Sequence, residues 1–175
     1  MMKDFQVELW LREAQLEDST PVTKLIRESF QAQAQQLGLT EAEYPHYVAF
    51  EQEKDAGERI IDTTVVVSYH FSTVPIGTIG YYTEGNNGII ERLAILPAYR
   101  GRSYGKQLLQ SAENDLFAVH DCQTVSISIA ACFEKLQRYY ESMKYEAIEK
   151  KKYPSLPFEV LHMQKTLDSW HRFYE

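Results

Sequence analysis

The sequence is poor in cysteine, and its two, Cys122 and Cys132, form no CxxC pair. That excludes a disulfide framework and makes a reducing cytoplasm the expected setting. Apolar runs are short, so no segment is expected to cross a membrane. The opening residues MMKDFQVELW mix charges into apolar positions and lack the apolar core of a secretory signal. Positive charge is also in deficit: 18 Lys and Arg against 25 Asp and Glu give a formal net charge of −7. That balance argues against general binding to nucleic acid or anionic membrane, and it suits a cationic substrate such as an amine. The five histidines show no metal-ligand spacing, so no metal is expected. Repeats, low-complexity tracts and linkers are missing too.

What remains is enough apolar material for a core. Hydrophobic residues make up 44% of 175 positions, with 12 Tyr, 8 Phe and 2 Trp, which fits one domain spanning residues 1–175. A first strand is predicted over Val7–Leu11. Ser19-Thr20-Pro21 supplies a cap and a proline for a helix carrying Val22, Leu25, Ile26 and Phe30 at helical spacing, with Gly38 as its stop. Thr40 to Glu43 fits a capping box, with Pro45 as an alternative start, for a short second helix reaching about Glu58. Strands are predicted over Thr63–Phe71, Pro75–Tyr82 and Ile89–Leu96, the last a central strand, apolar on both faces apart from Glu91 and Arg92. A helix with Leu108, Leu109, Ala112 and Leu116 follows, then a strand over Thr124–Ala130 and a helix over Phe133–Met143. Lys150-Lys151-Lys152 reads as a solvated turn. Two final strands, Tyr145–Ile148 and Phe158–Met163, flank a Pro154–Pro157 turn, and the tail Trp170–Tyr174 is apolar enough to pack on the body or on a second subunit. The order βααβββαβαββ describes an α/β (α+β) fold, a mixed sheet with helices on its faces.

The chemistry concentrates between Ile89 and Leu109, IIERLAILPAYRGRSYGKQLL. A strand, a proline stop and a basic glycine loop lead into a helix. Free N–H groups at that helix start, beside Arg100, Arg102 and Lys106, would make a pyrophosphate cradle; the alternative is an ordinary basic loop capping a helix. Gly101 and Gly105 allow close approach. At Ser103 a negative φ would be tolerated and a positive one strained. Walker and Rossmann loops fit worse, because there is no Gly-Lys-Ser/Thr ending and no full Gly-x-Gly-x-x-Gly.

Arg100-Gly101-Arg102-Ser103-Tyr104-Gly105 resembles the Arg/Gln-x-x-Gly-x-Gly/Ala signature of the GNAT N-acetyltransferase superfamily, with Ser103 where the first glycine is usual. LQRYYESMKY, residues 136–145, resembles the family's later A-x-x-Phe-Tyr-Glu-x-x-Gly-Phe segment, with Lys144 in the glycine position. The resemblance covers most of the chain and implies a mostly antiparallel central sheet flanked by helices on both faces. It implies acetyl-CoA as co-substrate, held by the backbone of Leu93, Ala94 and Ile95 and by the loop Arg100, Gly101, Arg102, Ser103, Tyr104, Gly105 and Lys106. Tyr140 would protonate the departing thiolate; the alternative is that it packs on the sheet, as expected of Tyr139. Glu91 would take the acceptor's proton; the alternatives are an ion pair with Arg92 or exposure at the strand end. Tyr44, His46, Tyr47 and Phe50 would line the acceptor site or contribute to the core. The acceptor would be a small-molecule or protein amine. A catalytically silent acyl-CoA-binding or interaction module is the competing reading. Cys132 is expected to be inert.

Overall fold

Valines at positions 65 and 67 alternate with Val66 and Ser68, and that period of two lays down a strand with two buried faces. The computed structural model describes residues 9–70 and 73–168. Its elements are β1 (Trp10–Glu13), α1 (Ser19–Gln36), α2 (Glu53–Asp62), β2 (Thr64–Tyr69), β3 (Pro75–Glu84), β4 (Asn87–Ile95), α3 (Tyr104–Ala118), β5 (Thr124–Ala130), α4 (Glu134–Ser142), β6 (Glu146–Lys152) and β7 (Glu159–Thr166). The strands form a mixed, mostly antiparallel sheet in the order β1-β2-β3-β4-β5-β7-β6. The chain makes two compact units. The first holds the described residues up to Gly80 together with Arg92–Leu109, and the second holds Tyr81–Glu91 and the described residues from Gln110 onward.

In the first unit, Val22 and Ile26 of α1 and Ala56 of α2 cover Val65 and Val67. On the other face of β2, Gly77 gives room for Leu108 of α3. A Cβ there would sit 2.5 Å from Ser68 Oγ and 2.6 Å from Ile95 Cδ1. α1 begins one residue earlier than its predicted cap: Asp18 precedes it and Ser19 is helical. Pro21 falls in the first turn, where a missing N–H breaks no helical hydrogen bond. The Thr40–Glu43 box forms, with Glu43 N donating to Thr40 Oγ1 at 3.4 Å, but it closes only a turn. Pro45 cannot donate the next hydrogen bond, so the second helix waits until Glu53 and runs to Asp62.

In the second unit, β5 pairs in parallel with β4 from Asn87↔Thr124 to Ile89↔Ser126, and antiparallel with β7 from Thr124↔Thr166 to Ala130↔Val160. β6 pairs antiparallel with β7. It extends through Lys150, Lys151 and Lys152, which are therefore strand residues rather than a turn. Their alternation with β7 gives each lysine a ladder partner, and local charge could not show that. β1 starts later than predicted, and residues 7 and 8 lie outside the described part. So do the tail residues Trp170–Tyr174.

Candidate active site

The loop after β4 is built to expose a helix start. A single 3-10 turn, Pro97–Tyr99, ends the strand. Ser103 O accepts from Gln107 N at 3.1 Å, which makes Ser103 the N-cap of α3. The next amides, on Tyr104, Gly105 and Lys106, therefore have no partner inside the helix. Arg102 and Lys106 are exposed beside them, with the Arg102 guanidinium 5.6 Å from the Tyr99 ring centroid. Arg100 is tied down within the protein. Its Nε donates to Ile95 O at 3.0 Å and its Nη2 to Ser29 O at 2.8 Å, so the side chain straps the loop to β4 and α1. Burial lowers its pKa from the ordinary value. The Tyr104 ring is buried, and what that residue offers a ligand is its amide.

Gly101 has φ 78 and Ser103 has φ 62, both left-handed. Ser103 thus keeps the backbone that a glycine would adopt, at a cost of roughly 1–2 kcal/mol. Ser103→Gly is expected to retain CoA affinity and to raise the melting temperature by about 2–4 °C. An unchanged or lower melting temperature in differential scanning calorimetry would show that the loop carries no such strain.

Tyr140 is set by the end of α4. Lys144 has φ 74, Tyr145 N donates to Tyr140 O at 3.1 Å, and Lys144 N donates to Glu141 O at 3.0 Å. This is a Schellman motif, with Lys144 at the position where glycine is favoured. Its apolar clasp is the pair Tyr140–Tyr145, with ring centroids 5.7 Å apart. Tyr145 OH donates to Glu113 Oε1 at 2.7 Å, and Lys165 Nζ donates to Glu113 Oε2 at 2.8 Å. Tyr140 is buried, and burial, then neighbouring Tyr139, pushes its pKa far above the ordinary phenol. It therefore stays protonated at neutral pH. Tyr139 is exposed on the same helix, rather than packing on the sheet as predicted.

Glu91 is half-buried on β4. Arg92 has φ 50, which kinks the strand just before Leu93–Ile95. The kink is held from below: Arg92 Nε lies 2.8 Å from Glu51 Oε1, and Arg59 Nε and Nη2 lie 2.9 and 3.1 Å from the two Glu51 oxygens. Glu51 is 4% exposed, and no sequence motif singled it out. Of the predicted acceptor cluster, Tyr47 and Phe50 meet with centroids 6.2 Å apart, Tyr44 is half-buried and His46 is exposed. Loop residues 100–106, Leu93–Ile95 and this cluster belong to the first unit; Glu91 and Tyr140 belong to the second. Cys132 is exposed and lines a cavity of about 820 Å³ with Lys150, Lys152 and Phe158. Among the described residues, no three His, Cys, Asp or Glu side chains gather to hold a metal ion, and no helix is long and apolar enough to cross a membrane.

Similar solved structures share this architecture. A PaiA N-acetyltransferase from Thermoplasma acidophilum, in complex with coenzyme A, superposes with a TM-score of 0.77 at 16% identity, over 91% of this chain and 99% of its own. A GNAT-family acetyltransferase from Staphylococcus aureus gives 0.70 at 14% identity, over 92% and 100%. A spermidine N-acetyltransferase chimera from Vibrio cholerae and hSSAT gives 0.68 at 15% identity, over 90% and 95%. No curated protein sequence matches the chain. At these identities the structures establish the fold, while the sequence model of the acetyltransferase (GNAT) family matches residues 21–145. With both the architecture and most of the sequence accounted for, the chain belongs to the acetyltransferase (GNAT) family.

Proposed function

We propose that the protein transfers an acetyl group from acetyl-CoA to a primary amine, by direct attack within a ternary complex. The observation that carries this reading is the start of α3. Unpartnered amides of Tyr104, Gly105 and Lys106 stand with exposed Arg102 and Lys106, where a pyrophosphate needs N–H groups and positive charge. The pantetheine arm would run along Leu93–Ile95 as an added strand. The amine nitrogen attacks the thioester carbon, and an amide near Leu93 holds the oxyanion. The C–S bond then breaks, and the thiolate takes a proton from Tyr140. Glu91 receives the proton lost by the amine. The chemical class of the acceptor is a cationic amine, consistent with the acidic chain and with spermidine N-acetylation by one similar protein.

Thiol release from acetyl-CoA across a panel of primary amines tests the reading. CoA binding without thiol release from any amine would favour the silent binding module instead. Tyr140→Phe keeps the ring packed on Tyr145 and removes only the hydroxyl. It should lower kcat about 10- to 10³-fold while CoA affinity stays nearly constant. A fully active Tyr140→Phe would reduce Tyr140 to packing.

A further inference from the structure

β5 and β7 place a histidine between two hydroxyls in the second unit. Ser128 is the ladder partner of His162. Ser128 Oγ lies 2.8 Å from His162 Nδ1, and Tyr153 OH lies 2.8 Å from His162 Nε2. The register shows which face they share. Ile89 pairs with Ser126, and Asn87 Oδ1 accepts from Thr124 Oγ1 at 2.8 Å and from Ser126 Oγ at 3.2 Å. Side chains two residues further along the same strands are Glu91 and Ser128, which therefore point to that face. Glu149 of β6 is the ladder partner of His162 and completes the row. Glu91, Ser128, His162 and Glu149 thus lie across four strands, on one face, with Ser128 and Glu149 exposed. The opposite face carries Val125, Ile127 and Ile129, all buried.

We propose that Ser128, His162 and Tyr153 form a proton relay that receives an ammonium-bearing acceptor beside Glu91. The proposal rests on the acetyl-transfer reading and names the residues that take the ammonium's first proton, before attack; Glu91 receives the second, lost on attack. In the neutral imidazole one nitrogen donates and the other accepts. With Nδ1 the acceptor, Ser128 O–H donates to it, and Nε2–H donates to Tyr153 oxygen. An ammonium N–H donates to Ser128 Oγ. As its proton passes to that oxygen, the serine's own proton passes to Nδ1. The products are a neutral amine, an intact serine hydroxyl and an imidazolium whose two N–H groups point at the two hydroxyl oxygens. Charge is conserved, because the cation moves from amine to ring. Glu149 and Lys151 of β6 share the face of the ring, and Tyr153 holds it from the β6–β7 turn. Lys151 Nζ lies 5.2 Å from the Tyr153 ring centroid. Ser128 contacts the substrate; His162 acts through it as a positioning and proton-holding residue.

The test pairs two acceptors, an alkylamine that is an ammonium at neutral pH and an arylamine that is already neutral. Ser128→Ala and His162→Gln should lower kcat/KM for the alkylamine about 10²-fold and leave the arylamine within about threefold. Acetyl-CoA affinity, measured by calorimetry, should not change. Equal losses with both acceptors, or no loss with the alkylamine, overturn the relay. A second measurement needs no turnover. The ¹⁵N signals of the His162 ring in the CoA-bound protein should shift as alkylamine is added, and Ser128→Ala should abolish that shift. Unmoved ring signals in the unsubstituted protein also overturn the relay. If they move while neither amine is acetylated, the acetyl-transfer reading fails and the amine contact stands.

Discussion

Glu51→Gln should destabilise the protein by about 3 kcal/mol, lowering its melting temperature by about 6–12 °C. The carboxylate is almost wholly buried and receives two guanidinium groups, from Arg59 at 2.9 Å and Arg92 at 2.8 Å. Removing its charge takes a buried counterion from both cations, although Arg92 is 25% exposed and recovers some hydration. The second consequence is local. Arg92 occupies a left-handed conformation at φ 50, which a long side chain adopts only when its surroundings insist. Without its anchor the kink relaxes, and the backbone of Leu93–Ile95 shifts with it. The KM for acetyl-CoA should then rise in Glu51→Gln, even below the new melting transition. A thermal melt and a KM both equal to those of the unsubstituted protein would show that the ion-pair group supports neither stability nor the strand.

Gly105→Val should raise the Kd for CoA by at least about 10²-fold, a loss of about 2.7 kcal/mol, with the fold intact. Gly105 is helical and sits in the first turn of α3, so valine can adopt its backbone. The effect comes from space. Two methyl groups would stand among the amides that a pyrophosphate must approach to hydrogen-bond distance. Calorimetry with CoA measures the affinity, and circular dichroism checks the fold. Undiminished affinity in a folded Gly105→Val would remove the loop as the CoA site.

The order of elements, the family and the outline of the glycine loop were legible in the sequence, because period and turn chemistry are local properties. Thr124–Ala130 reads as a strand from its own residues and is one. The loop was legible because Arg100 to Gly105 is contiguous, and a helix N-terminus offers its amides whatever lies around it. Within it, the sequence could not separate two uses of glycine. Gly101 and the Ser103 position need a left-handed backbone, whereas helical Gly105 needs only room. Lys144 follows the same logic as Ser103: each breaks the family pattern in letters and keeps it in φ, at 74 and 62.

Other features depended on long-range pairing. Arg100 is strapped in place by the carbonyls of Ile95 and Ser29, one of them 71 residues away. Glu51 carries no motif, and its importance arises only where α2 and β4 bring Arg59 and Arg92 to it. Ser128, His162 and Tyr153 are spread over 34 residues and meet only because β5 pairs with β7 in one register. A one-residue slip would turn His162 to the opposite face and dissolve the row. Sequence alone determined which elements form and where a helix start leaves its first amides open. Tertiary structure decided which charges are buried, which backbone is strained and which polar side chains share a face, because each depends on partners that chain order does not reveal.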